Sequence, residues 1–185
     1  MIWFSSDLHF NHDRAFIYEP RGCSSVEEMN AKIVDNFNSV IRESDTLYLL
    51  GDNMLGGSEK NEDSMRLLNS LHGNKILICG NHDGPSRKRL YVQNGYPIYD
   101  ALAVVYYKIH FYLSHYPTIT TNLQEESIKQ AVANLHGHTH SKSRFYNDIP
   151  LMYNVGVDAH DLMPVSIDTV IEDIKNKIKE CKGEL

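Results

Sequence analysis

One pattern occurs five times in this sequence: a short apolar run stops, and a residue able to bind a metal ion or transfer a proton follows. The clearest case is residues 77–83, where the apolar run reaches Gly80 and is followed at once by Asn81, His82 and Asp83. A buried parallel strand that stops at a glycine delivers polar groups to its carboxyl end, where open α/β sheets form active sites. The other four cases are residues 2–9, 47–52, 111–115 and 135–140. We therefore expect five strand ends to converge on one edge.

The spacing of apolar residues predicts alternating strands and helices in the first half of the chain. Strands are expected at Ile2–Ser5, Thr46–Leu50 and residues 75–79, with one helix in each gap. This β-α-β-α-β order implies parallel strand pairing through right-handed crossovers. In the second half, two arms rich in Val, Tyr and Phe predict a hairpin of Ala101–Tyr106 with Ile109–Ser114. We also expect a short helix at residues 125–130 and strands at residues 133–136 and 151–157.

Capping residues indicate where the helices begin. The predicted caps are Ser25 with Glu28 as a capping box, Asn61, Gly84 with Pro85, and Asp168. The first long helix should turn one apolar face to the core, formed by Met29, Ile33, Phe37, Val40 and Ile41. The last helix should bury Val170, Ile171, Ile174 and Ile178. Because no repeat or linker interrupts the chain, we expect residues 1–185 to form a single domain.

Composition restricts the class of protein and its location. With 185 residues, of which 42% are hydrophobic, the chain is long enough for a two- or three-layer core. No apolar run approaches the roughly 20 residues that span a bilayer, and the N-terminal residues lack the basic start of a signal peptide. Cys23, Cys79 and Cys181 are too few and too scattered for a disulfide framework or a cysteine zinc site, which favours a reducing cytoplasm.

The net charge bears on the kind of partner. A formal charge of −6 argues against a protein that coats nucleic acids. Two divalent cations in one site would add +4 and leave about −2, so a phosphate-bearing substrate is compatible with this charge. A small ligand is therefore expected rather than a large polyanion.

Eight side chains at the predicted strand ends carry the functional signal: Asp7, His9, Asp52, Asn81, His82, His115, His138 and His140. Carboxylate, imidazole and amide oxygen together suit Mn, Fe, Zn or Co rather than Ca. Asp7 with His9, and His138 with His140, lie two apart, so in an extended segment both members of each pair point the same way. Singly, each residue is more typical of a surface or turn position, and it is their order along the chain that predicts a metal site.

These five motifs resemble those of the calcineurin-like metallophosphoesterase superfamily. The resemblance runs from Ser6 to His140, and residues 6–12, 154–158 and 164–166 are similar to small cap-less bacterial and phage members. It implies the metallo-dependent phosphatase fold, a four-layer α/β/β/α sandwich of two mixed β-sheets flanked by helices. It also implies hydrolysis of a small phosphomonoester or phosphodiester, with nucleotides among the candidates, at an open and shallow site.

The same resemblance implies a pair of divalent transition-metal ions, drawn from Mn, Fe, Zn, Co and Ni. In the family pattern Asp7, His9 and His140 hold the first ion, Asn81, His115 and His138 hold the second, and Asp52 bridges them. A hydroxide shared by the two ions would attack phosphorus in line. His82 would assist the leaving oxygen, and Asp83 would orient its ring, with helix capping as the alternative role.

The remaining polar residues near the motifs receive weaker assignments. His12 and Arg14 follow the first motif and are expected to reach a substrate phosphate. The basic residues 87–89, Lys142 and Arg144 are expected to be mostly solvated, with one or two giving the site a positive rim.

Several alternative functions stay open. The second motif lacks the Arg and the later Asp typical of phosphoprotein phosphatases, which argues against that role. A nuclease acting on single-stranded nucleic-acid ends would need a basic groove or a dimer arm. A non-catalytic metal-binding module would be expected to lose ligands or His82, and a structural zinc site would leave several donors without a purpose. No membrane partner and no obligate nucleic acid is expected, and the sequence leaves the oligomeric state open.

Overall fold

The computed structural model describes residues 1–120 and 128–183. Nine strands are assigned within this part of the chain: β1 Ile2–Ser5, β2 Thr46–Leu50, β3 Asn74–Ile78, β4 Ile98–Tyr99, β5 Ala101–Tyr106, β6 Ile109–Ser114, β7 Val132–His136, β8 Met152–Asn154 and β9 Val165–Ser166. The α-helices there are α1 Ala15–Tyr18, α2 Val26–Val40, α3 Asn61–Ser70, α4 Pro85–Gln93 and α5 Ile167–Lys182.

The first sheet has the strand order β4-β3-β2-β1-β9. Strands β1 to β4 are parallel, and β9 pairs antiparallel with β1. The predicted β-α-β-α-β unit with parallel pairing is therefore confirmed. Its three strands all end on the same side, because parallel neighbours share one direction.

The second sheet has the order β5-β6-β7-β8. The β5–β6 hairpin is antiparallel, as predicted, and β7 and β8 run parallel to β6. Tyr107 and Lys108 form its two-residue turn with φ of 52° and 64°, the left-handed backbone that matches the twist of hairpin strands. Both sheets are mixed.

Two apolar clusters hold these layers together. One lies on the helix-covered face of the first sheet and joins residues of α2 and α3 to Leu47, Leu49 and Leu77. The other joins both sheets, through residues such as Phe4 and Phe111, to the buried face of α5. The predicted fold class, two mixed sheets flanked by helices, is confirmed.

Helix boundaries agree with the sequence in part. Ser25 caps α2 by accepting a hydrogen bond from the Glu28 backbone N–H. The predicted capping box is incomplete, because the Glu28 carboxylate accepts from the Ser24 backbone N–H rather than from that of Ser25. The predicted cap Asp168 is wrong: Ser166 caps α5 by accepting from the Thr169 N–H at 3.1 Å, because the helix begins two residues earlier.

Three further expectations need correction. Asn61 is the first residue of α3 rather than its cap, since a 3₁₀ turn already leads into the helix. Val40, expected inside, is 36% exposed, and Ile41 takes the buried position. The strand predicted at 151–157 is limited to β8, because the Asn154 side chain accepts the Gly156 N–H at 2.9 Å and turns the chain.

The helix expected at 125–130 falls mostly outside the described residues, and residues 128–130 form a turn. Within residues 1–120 and 128–183, no helix combines the length and apolar character needed to cross a lipid bilayer.

Candidate metal centre

Five loops leave the carboxyl ends of β1, β2, β3, β6 and β7 and meet at one end of the molecule. Three come from the first sheet and two from the second, so the donor set is assembled across the two sheets. The side chains that these loops bring together are Asp7, His9, Asp52, Asn81, His82, His115, His138 and His140. The expected convergence of strand ends is present.

The first group of donors consists of Asp7, His9 and His140. Asp7 Oδ1 lies 3.9 Å from the Nε2 atoms of both histidines. The two imidazole rings are 4.9 Å apart between centroids. One carboxylate oxygen and two ring nitrogens therefore surround a common point.

The second group consists of Asn81, His115 and His138. Asn81 Oδ1 lies 2.9 Å from His115 Nε2 and 3.0 Å from His138 Nδ1, and the two nitrogens are 3.2 Å apart. Ligand atoms about 2.0–2.2 Å from one transition-metal ion lie roughly 3–3.5 Å from one another. The spacing of this group fits one such ion.

Asp52 lies between the two groups. Its Oδ2 is 3.4 Å from His115 Nε2 in the second group. Asp52, His115 and Asp7 also offer donor atoms that all lie within 4.8 Å of one another, which connects the second group to the first. Asp52 is the carboxylate placed to contact both.

The backbone of these loops adopts an uncommon conformation. Five of the donors have positive φ: Asp7 58°, His9 52°, Asp52 53°, His138 69° and His140 49°. Such angles are unfavourable for residues with a side chain, and they cluster at functional sites. The expected extended backbone at the two alternating pairs is wrong. Asp7 and His9 nevertheless lie in one donor group, while Leu8 between them is fully buried, and His138 and His140 lie in different groups of the same cluster.

Two glycines allow the loops to approach closely. A Cβ at Gly80 would overlap the Asp52 carboxylate and lie 2.8 Å from its backbone nitrogen. A Cβ at Gly137 would overlap the side chains of Ser6 and Asp7. The glycines before two of the predicted motifs are therefore required by contact between loops.

Buried polar atoms in the first group test whether a metal would fit here. Within the described part of the chain, Asp7 Oδ1 and both ring nitrogens of His9 are buried without a hydrogen-bond partner. Burial of such atoms without a partner is costly, and native structures nearly always satisfy them. A cation held by Asp7 Oδ1 and His9 Nε2 would satisfy two of these three atoms, so the residues present fit a bound metal.

Hydrogen bonds fix the orientation of two of the histidines. His115 Nδ1 lies 2.8 Å from the Leu50 carbonyl oxygen, and His140 Nδ1 lies 2.8 Å from Asp158 Oδ2. Both acceptors require the proton on Nδ1, which leaves the Nε2 lone pair facing the donor cluster. Each ring is thus held in the form that binds a metal.

Asp158 and Arg21 are residues that the sequence reasoning missed. Arg21 is 8% exposed and donates to both Asp158 oxygens, at 2.8 and 3.0 Å, and to the backbone carbonyls of Asp7 and Leu8. This pair supports His140 and the Asp7 loop together. Asp158 stands in a stretch used for the family resemblance, but Arg21 lies in a turn with no pattern that could have revealed it.

The pKa shifts of the donors differ in direction across the cluster, and burial raises the pKa of Asp7. Burial, supplemented by the nearby His140 and Arg21, lowers the pKa of His9 to about 2, so its ring is neutral at pH 7. Burial works to raise the pKa of Asp52, but hydrogen bonding and the charge of His115 outweigh it and lower that pKa. Burial works to lower the pKa of His115, but the hydrogen bond with Asp52 and the charge of Asp7 outweigh burial, so the pKa of His115 is raised. The neutral ring of His9 and the anionic carboxylate of Asp52 are the forms that bind a cation.

His82 lies at the edge of the cluster with its side chain 43% exposed. Its backbone N–H donates to Asp52 Oδ1 at 2.9 Å, and its ring is 5.7 Å from that of His9. A group of this exposure next to the donors can reach a molecule bound there.

Asp83 is buried, and its described hydrogen bonds do not include the His82 ring. Its carboxylate accepts from the backbone N–H groups of Gly80 and Asp52, at 2.8 and 3.0 Å, and from the Tyr91 hydroxyl at 2.7 Å. Gly84 occupies the cap position of α4, so capping by Asp83 is not seen either. The geometry makes Asp83 a brace between the loops of the second and third motifs.

His12 and Arg14 line a polar cleft of about 330 Å³ beside the cluster. His12 stacks on His9 with centroids 5.3 Å apart, and burial together with the nearby His82 lowers its pKa to about 4. Of the basic residues, Arg87 donates to the carbonyls of His82 and Gly56. Lys142 and Arg144 line a further cleft that reaches His140.

Comparisons with known proteins agree with this architecture. The sequence model of the calcineurin-like phosphoesterase superfamily domain matches residues 1–177. An uncharacterized protein of Methanocaldococcus jannaschii is 33% identical over 190 residues, covering 100% of this chain and 97% of that protein. The gene 66 protein of Mycobacterium phage D29 is 29% identical over 206 residues, covering 94% and 97%. Among solved structures, a protein of unknown function from Aquifex aeolicus is similar with 26% identity and a TM-score of 0.69, covering 93% and 98%.

Proposed function

The chain belongs to the calcineurin-like phosphoesterase superfamily, and on that premise we propose that it hydrolyses small phosphomonoesters or phosphodiesters, nucleotides included, with two bound metal ions. Membership makes it a metal-dependent phosphoesterase. The number of ions, the substrate and the residue roles are our proposal.

The observation that carries the proposal is that Asp7 Oδ1 and the ring nitrogens of His9 are buried without hydrogen-bond partners within a group of candidate metal-binding side chains. Asp7, His9 and His140 would hold one ion, Asn81, His115 and His138 the other, and Asp52 both. Mixed oxygen and nitrogen donors suit Mn, Fe, Zn, Co or Ni. Bound there, such ions would supply Lewis acidity toward the phosphoryl oxygens and lower the pKa of water.

The chain's own residues would supply the remaining functions. His82 is exposed beside the donors and would give a proton or a hydrogen bond to the leaving oxygen of the ester. His12 and Arg14 line the adjoining polar cleft and would contact the phosphate. Asp83, through its bonds to the backbone of Gly80 and Asp52, would hold the loops that carry these groups.

Two alternatives are less well supported. A nuclease would need a continuous basic groove, whereas the chain carries a charge of −6. A non-catalytic module has no need of His82, which stands beside the donors with its side chain 43% exposed. Three cysteines without disulfide bonds, Cys23, Cys79 and Cys181, support the further proposal of a reducing, cytoplasmic location.

The test is to prepare metal-free protein, add Mn²⁺, and measure turnover of bis(p-nitrophenyl) phosphate and p-nitrophenyl phosphate. We expect metal-dependent hydrolysis of at least one. Preference for the diester would identify a phosphodiesterase. Absence of turnover with Mn, Fe, Co, Ni and Zn would refute the proposal in favour of the binding module.

A further inference from the structure

An apolar cleft of about 570 Å³ opens directly beside the candidate metal centre. Most of its exposed lining is apolar, from Phe16, Ile17, Pro20 and Leu55. The metal ligands His9 and His140 also line it, together with His12, His82 and the Arg21–Asp158 pair. We call it the Phe16 cleft. Small-molecule sites commonly measure about 300–1,000 Å³ and combine apolar walls with a few polar groups. The Phe16 cleft has that size and composition.

A row of aromatic rings runs from the mouth of the Phe16 cleft to the metal ligands. Phe16 is 69% exposed on the short helix α1 and stands at 90° to the His12 ring, with centroids 5.7 Å apart. His12 in turn stacks on His9 at 5.3 Å. Aromatic rings prefer such edge-to-face and offset contacts with one another, so this wall is suited to a further planar ring.

The neighbouring clefts have a different character. The polar cleft on one side carries Arg14 and Lys60, and the cleft on the other side carries Lys32, Lys142 and Arg144. Charged surfaces of this kind suit phosphate groups and water. The Phe16 cleft therefore offers an apolar direction in which a substrate whose phosphate lies at the metal centre can place its organic group.

We propose that the substrate is an aromatic phosphate ester, whose ring lies in the Phe16 cleft while its phosphate occupies the metal centre. This inference rests on the proposed function and specifies its substrate class. The ring comes from a nucleobase or from an aryl alcohol, since both present a planar aromatic surface next to the phosphate.

Equilibrium binding of phosphonates tests the inference without relying on turnover, because a P–C bond is not hydrolysed. Mn²⁺-loaded protein is titrated calorimetrically with phenylphosphonate, cyclohexylphosphonate and methylphosphonate. We expect phenylphosphonate to bind about tenfold more tightly than methylphosphonate, with cyclohexylphosphonate clearly weaker than phenylphosphonate. Equal binding of the phenyl and methyl compounds, or of the phenyl and cyclohexyl compounds, would overturn the proposal.

Phe16→Ala should reduce the phenyl-to-methyl affinity ratio to below about threefold while the Mn²⁺ content stays the same. Val105→Ala is the matched control, because Val105 is 56% exposed on β5 and away from the cleft. It should leave the ratio unchanged. An unchanged phenyl-to-methyl affinity ratio in Phe16→Ala would contradict the assignment of Phe16. An equal fall of this ratio in Val105→Ala would contradict it as well.

Two further phosphonates distinguish the sources of the ring. An adenosine 5′-phosphonate represents the nucleotide, and 4-(phosphonomethyl)phenylalanine represents the aryl ester. The phosphonate that binds more tightly indicates the source of the aromatic ring. If neither binds more tightly than methylphosphonate, the proposal is refuted. If the protein prefers phenylphosphonate but hydrolyses no ester, the result counts against the proposed function alone. If it hydrolyses esters but does not prefer phenylphosphonate, the result counts against this inference alone.

Discussion

Asp158 Oδ2 lies 2.8 Å from His140 Nδ1, which directs the Nε2 atom of that ring toward Asp7. The same carboxylate is paired with the buried guanidinium of Arg21. The hydrogen bond with Asp158 raises the pKa of His140, although burial works in the other direction. Burial works to raise the pKa of Asp158, but the hydrogen bonds with His140 and Arg21 outweigh it and lower that pKa to about 2. A carboxylate–histidine pair of this kind orients a metal ligand and increases its basicity.

Asp158→Asn should therefore weaken metal binding by about 10–100-fold, because the substituted amide no longer holds His140 with a full negative charge. The measurement is a competition titration of Mn²⁺ with a chelating dye. Asp173→Asn is a suitable control. Like Asp158, Asp173 interacts with an arginine and one other side chain, here Arg144 and Tyr153, but it lies on α5. Equal metal affinity in the two variants would show that Asp158 does not position His140.

His82→Ala should lower turnover by about 10²–10⁴ with metal content unchanged, if the ring acts as proposed on the leaving group and not as a metal ligand. Steady-state kinetics on p-nitrophenyl esters and elemental analysis of the same preparation give both quantities. Loss of metal together with activity would instead make His82 a ligand.

Gly80→Ala should remove metal and destabilise the fold, since the added Cβ would overlap the Asp52 carboxylate. Gly84→Ala is the matched control: a Cβ there meets nothing within 4 Å, and its φ of −63° suits any residue. The control should lose about 1 kcal/mol or less, from its cap position, and keep its metal. Thermal unfolding and elemental analysis compare the two variants, and metal retention in Gly80→Ala would contradict the close contact.

Asp45 provides a pH-dependent test remote from the metal centre. Its carboxylate accepts from the Met1 ammonium, the Arg42 N–H and the Trp3 indole, which bring its pKa to about 2 from 3.8. A lowered folded-state pKa contributes stability that is complete above about pH 4 and is lost as the pH falls toward 2. The free energy of unfolding of wild type minus that of Asp45→Asn should therefore be constant above about pH 5 and shrink below about pH 4. A difference independent of pH between 5 and 3 would contradict this assignment.

The sequence predicts the strands and the polar side chains at their ends because both signals are local. An apolar run that stops at a polar residue, as at Leu50 before Gly51 and Asp52, specifies a strand and its end within a few positions. The parallel order of strands then brings the ends together. The prediction that eight polar side chains meet at one end therefore needed only chain order and residue type, whereas the division into metal ligands and His82 came from the family resemblance.

What escaped prediction depends on contacts between distant residues. Arg21 and Asp158 are 137 positions apart and meet only after both sheets have assembled. Adjacency along the chain predicts a contact between Asp83 and the His82 ring, yet the Asp83 carboxylate accepts from the backbone N–H of Asp52 in another loop and from the Tyr91 hydroxyl. The left-handed turns at Asp7 and His9 are likewise imposed by pairing with the Gly51–Asp52 segment, through hydrogen bonds from their backbone N–H groups.

The number of metal ions per chain tests the central claim most directly. Wild type and Asp52→Asn are saturated with Mn²⁺, freed of excess ion, and analysed for metal and protein in the same sample. We predict two ions per chain in wild type and fewer than two in Asp52→Asn, because Asp52 lies between the two donor groups. At most one ion in wild type, or two retained in the variant, would contradict the account.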